Sequence, residues 1–201
     1  MMSAKRLKMS RAALRSATKD NDANELKLET FGVGFKMPNK KVAEEPSEFA
    51  NIPLLANNII KADWKTRIEI IDKLTNIAER NVEPLRKSIK LVTVLESLIK
   101  CLNDSNSKVS SKAISAFEKL IPLFKTGIEQ NINLLLGGIS SNLCSTNTIL
   151  KNKSETLLDL VIDTVENDCL VQPLVYIALY GNDRLRATII THLCGIIIIL
   201  K

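Results

Sequence analysis

The side chains that usually perform catalysis or hold metals are few in this sequence and far apart. His192 is the only histidine, and it falls on the apolar face of the last predicted helix, which favours a structural role. The four cysteines form no Cys-x-x-Cys pair, which is typical of reduced core cysteines in an intracellular protein. No serine, histidine and acid combine into a catalytic set. We therefore predict that the protein is not an enzyme and has no catalytic residue, metal site or cofactor.

The chemistry that the sequence does offer is the binding of an acidic surface. The formal net charge is +6, which favours an acidic protein, a nucleic acid or a membrane surface as partner. Four predicted turns are each followed by basic or amide side chains, and the first is followed by the only tryptophan: Trp64, Lys65, Arg67, Asn106, Lys108, Lys151, Lys153 and Arg184. Tryptophan supplies a large amphipathic contact area, and a row of cations speeds encounter with an acidic partner.

These residues are positioned by predicted pairs of antiparallel helices, or helical hairpins. Asp63 is a good N-cap for a helix that begins at Trp64, and apolar residues follow at the spacing of one helix face. The first predicted hairpin has an apolar face of Ile52, Leu55, Ala56, Ile59 and Ile60 on one helix and of Trp64, Ile68, Ile71, Leu74 (or Thr75) and Ala78 on the other. The faces of the second hairpin are Leu85, Ile89, Val92, Leu95 (or Glu96), Ile99 and Leu102, and Val109, Ala113, Ala116, Phe117, Leu120 and Phe124.

The hairpins recur at a regular interval along the chain. The first core residues after successive turns, taken as Ile68, Val109, Leu150 and Leu185, are separated by about 40 residues, with a shorter last interval. Two helices per unit at this period are typical of HEAT and armadillo arrays. The sequence therefore predicts an all-α fold, an α-solenoid of about four HEAT-like hairpins (ARM-type fold) whose turns line up on one edge.

Two stretches resemble a known family. The first is Asp63-Trp64-Lys65-Thr66-Arg67-Ile68, a short turn that opens an amphipathic helix; the second is the turn Asp104-Ser105-Asn106-Ser107-Lys108-Val109. Both resemble TOG domains, the HEAT-repeat tubulin-binding domains of cytoplasmic-linker-associated proteins, microtubule polymerases and crescerins. A TOG domain is expected to have six hairpins, so the resemblance implies an array that is incomplete after four.

The resemblance implies a partner and a role for several residues. The partner would be αβ-tubulin or the microtubule lattice, and the consequence would be regulation of microtubule dynamics. Trp64 would insert against β-tubulin, and Lys108, Lys151 and Lys153 would engage toward α-tubulin. The third turn, which is rich in Ser, Asn and Thr, is predicted to be longer than in the family. Arg186 is instead interpreted as an intramolecular arginine that ties neighbouring turns.

The first 45 residues differ from the rest in composition. Basic residues precede any acid, and no helical period is sustained, so we predict a disordered basic tail over 1–45 and a HEAT-repeat domain over 46–201, truncated at its C-terminus. The tail would add affinity for an acidic lattice. The expected site is the cytoplasm and cytoskeleton, in the cilium or spindle; an acid-free basic start also fits a mitochondrial transit peptide, which is the alternative.

Two other functions stay open at this point. The array could be a HEAT or armadillo scaffold that binds a different protein through its helices. It could also bind nucleic acid, which the charge allows, although regularly spaced stacking aromatics are missing. No small-molecule substrate or membrane partner is implied, since the longest late apolar run is too short to span a bilayer.

Overall fold

The computed structural model describes residues 47–199, so the predicted tail over 1–45 lies outside the described part of the chain. Residues 47–199 form helices and no strand. The helices are α1 (Ser47–Ala50), α2 (Ile52–Lys61), α3 (Trp64–Arg80), α4 (Val82–Arg86), α5 (Lys90–Leu102), α6 (Ser107–Leu123), α7 (Lys125–Glu129), α8 (Ile132–Leu143), α9 (Thr148–Thr164), α10 (Asn167–Tyr180) and α11 (Asp183–Ile199).

Four antiparallel hairpins make up the array: α2/α3, α5/α6, α8/α9 and α10/α11. Their first helices pack in chain order, α2 on α5, α5 on α8 and α8 on α10, and their second helices pack α3 on α6 and α6 on α9. Each hairpin buries its apolar stripe against the next, which is how repeat arrays build a continuous core. The predicted all-α solenoid is confirmed.

The second helix of every hairpin begins with the same capping chemistry. The side chains of Asp63, Asn106, Asn147 and Asn182 accept hydrogen bonds of 2.9–3.1 Å from backbone N–H groups two or three residues further on. Such caps satisfy donors that the first helical turn leaves unpaired. The pKa of Asp63 is lowered because Thr66 donates to its carboxylate through both side chain and backbone. The predicted N-cap at Asp63 is confirmed.

The caps define which residues of the four hairpins are equivalent. Val109, Leu150 and Leu185 each lie three residues after their cap and are buried. Ile68 lies five residues after Asp63 and packs, partly buried, against the core, so the core of the first hairpin begins two positions further from its cap than in the other three. The period of about 40 residues is unaffected by this shift.

Most predicted core positions are buried; Leu55, Ile68 and Val92 are partly buried, and two positions other than Trp64 are exposed. Ile60 is 61% exposed and Ile89 is 81% exposed. Ile60 follows the buried Ile59 directly and so falls outside the stripe that faces α3. Ile89 lies in the break between α4 and α5, where the chain leaves one helix and begins the next, and the predicted continuous helix through this position is wrong.

Candidate protein-interaction edge

The intra-hairpin turns lie along one side of the array. They comprise residues 62–63, 103–106, 144–147 and 181–182, and we call these turns, together with the first turn of the helix that follows each, the turn edge. Side chains of neighbouring turns contact each other or line shared cavities along it. Seven of the eight residues predicted to bind a partner lie on this edge, and Lys153, the sixth residue of α9, lies one helical turn further along that helix.

Trp64 is the exposed aromatic of the first turn. Its side chain is 37% exposed, and two ammonium groups lie against its ring: Lys65 Nζ at 5.6 Å from a ring centroid and Lys108 Nζ, from the next turn, at 5.2 Å. Cations at this distance are attracted by the ring quadrupole. Both lysines place positive charge beside the exposed indole, Lys65 from its own hairpin and Lys108 from the second hairpin.

Arg67 is engaged within the chain. Its Nε donates to the Ala62 carbonyl at 2.9 Å, and its Nη1 forms a salt bridge with Asp104, whose side chain is only 5% exposed. Arg67 therefore ties the first turn to the second. Arg186, predicted to tie neighbouring turns, instead makes bonds inside its own hairpin, to the Ala178 carbonyl at 3.0 Å and to Asp183.

In the second turn Asn106 has a structural role, whereas Lys108 is an exposed cation. The Asn106 side chain accepts from the Lys108 backbone N–H at 3.0 Å, and its own backbone N–H donates to Asp104 Oδ1 at 2.8 Å. Lys108 lines a cavity of about 370 Å3 together with Lys112 and Lys153. This cavity lies between α6 and α9. The Lys112 ammonium is paired with Asp72 Oδ1 at 2.7 Å, so Lys108 and Lys153 are the lysines of its wall that have no carboxylate at salt-bridge distance within residues 47–199.

The third turn has four residues, 144–147, the same number as the second turn at 103–106. The third turn is therefore not longer than the second turn of the chain, and its length relative to the family stays a prediction. Ser140 and Ser141 stay helical, and their hydroxyls donate to the carbonyls four residues earlier. Lys153 donates to Ser111 Oγ at 2.9 Å and faces the second turn, whereas Lys151, 3.8 Å from Glu155, faces Arg184 and the fourth turn.

No family model matches the chain, whereas comparison with known proteins finds relatives, two of which share one name. TOG array regulator of axonemal microtubules protein 1 of Mus musculus is 27% identical over 164 residues, which cover 81% of this chain and 9% of that protein. The protein of the same name in Homo sapiens is 28% identical over 160 residues, which cover 79% of this chain and 9% of that protein. The chain resembles TOG array regulators. The family resemblance drawn from the first and second turns is thereby confirmed.

The TOG-like array contains no metal cluster within residues 47–199. His192 is partly buried, with Nε2 3.8 Å from Asp159 Oδ1, so its predicted place on the apolar face is only partly right. Cys101 is buried, and burial raises the pKa of its thiol to about 12, whereas Cys194 is exposed and is not the core residue that was predicted. Between residues 47 and 199 no helix combines the length and apolar character needed to cross a bilayer.

Two tyrosines on the TOG-like array were missed at the level of sequence. Tyr176 and Tyr180 are 65% and 73% exposed, and their rings lie 5.0 Å apart at the end of α10, next to the fourth turn. They are the only tyrosines of the chain and are four residues apart, directly before Gly181. An aromatic pair at helical spacing beside a turn is the signal that could have found them.

Proposed function

We propose that the chain binds αβ-tubulin or the microtubule lattice through the turn edge and regulates microtubule dynamics without catalysing a reaction. The single observation that carries this proposal is the exposed Trp64 ring with Lys65 and Lys108 beside it at the first two turns. An exposed indole with two cations beside it is complementary to an acidic protein surface that contains an apolar pocket. The relatives are named regulators of axonemal microtubules, which supports a microtubular partner.

Four residues take the contact roles in this proposal. Trp64 is the anchor, and Lys65 and Lys108 place positive charge around it. Lys153 and Lys108 line the cationic cavity between α6 and α9, which accepts an acidic side chain of the partner. Exposed cations that face an acidic surface mainly raise the encounter rate and set the orientation of the two partners. The lysines therefore add to the contact made by Trp64 and do not replace it.

The remaining predicted residues divide into positioning residues and outlying contacts. Arg67 and Asn106 hold the first and second turns in register through Asp104 and the cap of α6. Lys151 and Arg184 line the cavity between the third and fourth turns, at the far end of the edge. We propose the same division of the chain as before, with residues 46–201 as the tubulin-binding domain and 1–45 as a basic tail that adds lattice affinity in the cytoskeleton, in the cilium or spindle.

Reversing the charge at Lys108 should weaken tubulin binding about tenfold, because a carboxylate would face both the Trp64 ring and the acidic partner. The matched control is Lys87→Glu, which changes the net charge equally but lies on the opposite edge, exposed between α4 and α5. Biolayer interferometry of the 201-residue chain on immobilised αβ-tubulin, at two salt concentrations, measures both. Equal losses for the two variants would mean that only net charge matters, and a chain that does not bind tubulin would favour a HEAT scaffold with another partner.

A further inference from the structure

Two cavities meet between the third and fourth turns. One, of about 450 Å3, is lined by Tyr176 and Tyr180 from α10 and by Gly137 from α8. The other, of about 130 Å3, is lined by Lys151 and Arg184. Cys144 and Leu185 belong to the walls of both cavities, so an aromatic surface and a cationic one lie side by side. We call this pair of cavities the tyrosine seam.

The aromatic half of the tyrosine seam is open and suited to an apolar side chain. The two tyrosine rings lie 5.0 Å apart and are more than half exposed. Apart from its chain neighbours and the backbone of its own helix, no atom lies within 4 Å of the position that a Cβ of Gly137 would occupy, so the floor beside the rings is unfilled. The hydroxyls of Ser140 and Ser141 donate to carbonyls of their own helix. A bound apolar side chain therefore leaves neither of these two donors unsatisfied.

The cationic half carries one positive charge in excess. Glu155 lies in the wall of this cavity with Lys151 and Arg184, and it is 3.8 Å from the Lys151 ammonium. Within residues 47–199 no carboxylate lies within salt-bridge distance of the Arg184 guanidinium, so Arg184 supplies the excess charge. Arg184 is exposed, and its backbone N–H is held by Asn182 at 3.0 Å, so the residue is fixed at the start of α11. Guanidinium groups pair with carboxylates in a two-point geometry.

We propose that the tyrosine seam is a second anchor on the turn edge, binding an acidic segment of the partner that carries an apolar side chain next to a carboxylate. The apolar side chain packs on Tyr176 and Tyr180, and the carboxylate pairs with Arg184. This inference rests on the proposed function, because the occupant is a segment of the same tubulin surface that contacts Trp64. Between two and three packed helix spacings, or about 20–30 Å, separate the two anchors, so together they fix the orientation of the array on its partner.

The chain contains one tryptophan and two tyrosines, so the oxidation of each aromatic residue type reports on one anchor. Hydroxyl-radical footprinting of the 201-residue chain, with and without saturating αβ-tubulin, measures the oxidation of each ring by mass spectrometry. We expect oxidation of Trp64, Tyr176 and Tyr180 to slow about fivefold, because contact residues at an interface are shielded from water. Ile89, exposed on the opposite edge, is the control and should not change.

The outcomes separate this inference from the function on which it rests. Protection of Trp64 without protection of the tyrosines would overturn the second anchor and leave the proposed function standing. Absence of protection at all three rings would overturn both. Protection of the tyrosines alone would support the seam and contradict the role given to Trp64.

Variants test whether the two halves of the seam hold one segment. Tyr176→Ala/Tyr180→Ala and Arg184→Glu should each weaken tubulin binding about tenfold, while the exposed control Ile89→Ala should leave it unchanged. Circular dichroism should be unchanged, because all of these side chains are exposed. The combined variant should lose less than the product of the separate losses, since the parts share an occupant. Full additivity, or no loss from either variant, would contradict the proposal.

Discussion

Replacing Phe117 with alanine should lower the free energy of unfolding by about 3–5 kcal/mol. The Phe117 side chain is fully buried in α6, and α6 packs against α3, α5 and α9. Removing the ring leaves a cavity where three neighbouring helices meet, and a close-packed interior collapses only partly around such a space. The loss is a large fraction of the stability of an ordinary domain.

Urea unfolding of the Phe117→Ala chain, followed by circular dichroism and by the fluorescence of the single tryptophan, measures this loss. Leu134→Ala is the matched control, because Leu134 is 57% exposed on α8 and its truncation should change the stability by less than about 0.5 kcal/mol. A loss below about 1 kcal/mol for Phe117→Ala would mean that α6 is not the packed centre of the array.

The second large effect is expected at Asp104, whose replacement by alanine should cost about 3 kcal/mol of stability. The Asp104 carboxylate accepts from Arg67 and from the Asn106 backbone N–H, and its side chain is 5% exposed. Removing it leaves the partly buried guanidinium of Arg67 without its charge partner and frees the cap of α6. Both of the first two turns should loosen together.

A double-mutant cycle between Arg67→Ala and Asp104→Ala, measured by chemical unfolding, tests this tie. The two losses should be strongly non-additive, because each substitution breaks the same interaction. The matched control is Asp183→Ala, which removes a surface salt bridge to Arg186 from a side chain that is 84% exposed and should cost well under 1 kcal/mol. Additive losses at Arg67 and Asp104 would refute the assignment of Arg67 as a positioning residue.

The hairpins could be predicted from sequence because their signals are local. Asp63 caps its helix through residues within one turn, and the stripe of Val109, Ala113 and Phe117 follows from the helical period alone. The break that exposes Ile89 could not be predicted, because it depends on how α4 packs between hairpins. The start of the third turn could not be predicted, since Ser140 and Ser141 suggest a loop by composition, yet their hydroxyls bond back to the helix.

The candidate site was predictable in outline and not in detail. The resemblance to TOG domains indicated Trp64 and the turn edge before any coordinates, and the alignment of turns follows from the repeat. The salt bridge between Arg67 and Asp104 could not be predicted, because the two residues lie 37 positions apart in the sequence. In addition, the sequence does not distinguish a basic residue that pairs within the chain from one that stays free near a turn. Tyr176 and Tyr180 were missed because the prediction considered residues at or just after each turn, whereas both tyrosines precede the fourth turn at the end of α10.

The most direct test of tubulin binding through the turn edge is gel-filtration co-elution of the 201-residue chain with αβ-tubulin at low salt, comparing wild type, Trp64→Glu and the opposite-edge control Ile89→Glu. We expect wild type and the control to shift the tubulin peak, and the folded Trp64→Glu chain to elute alone, because a carboxylate replaces the anchor and opposes an acidic partner. Co-elution of a folded Trp64→Glu chain to the same extent as wild type, or failure of wild type to shift the peak, would contradict the account.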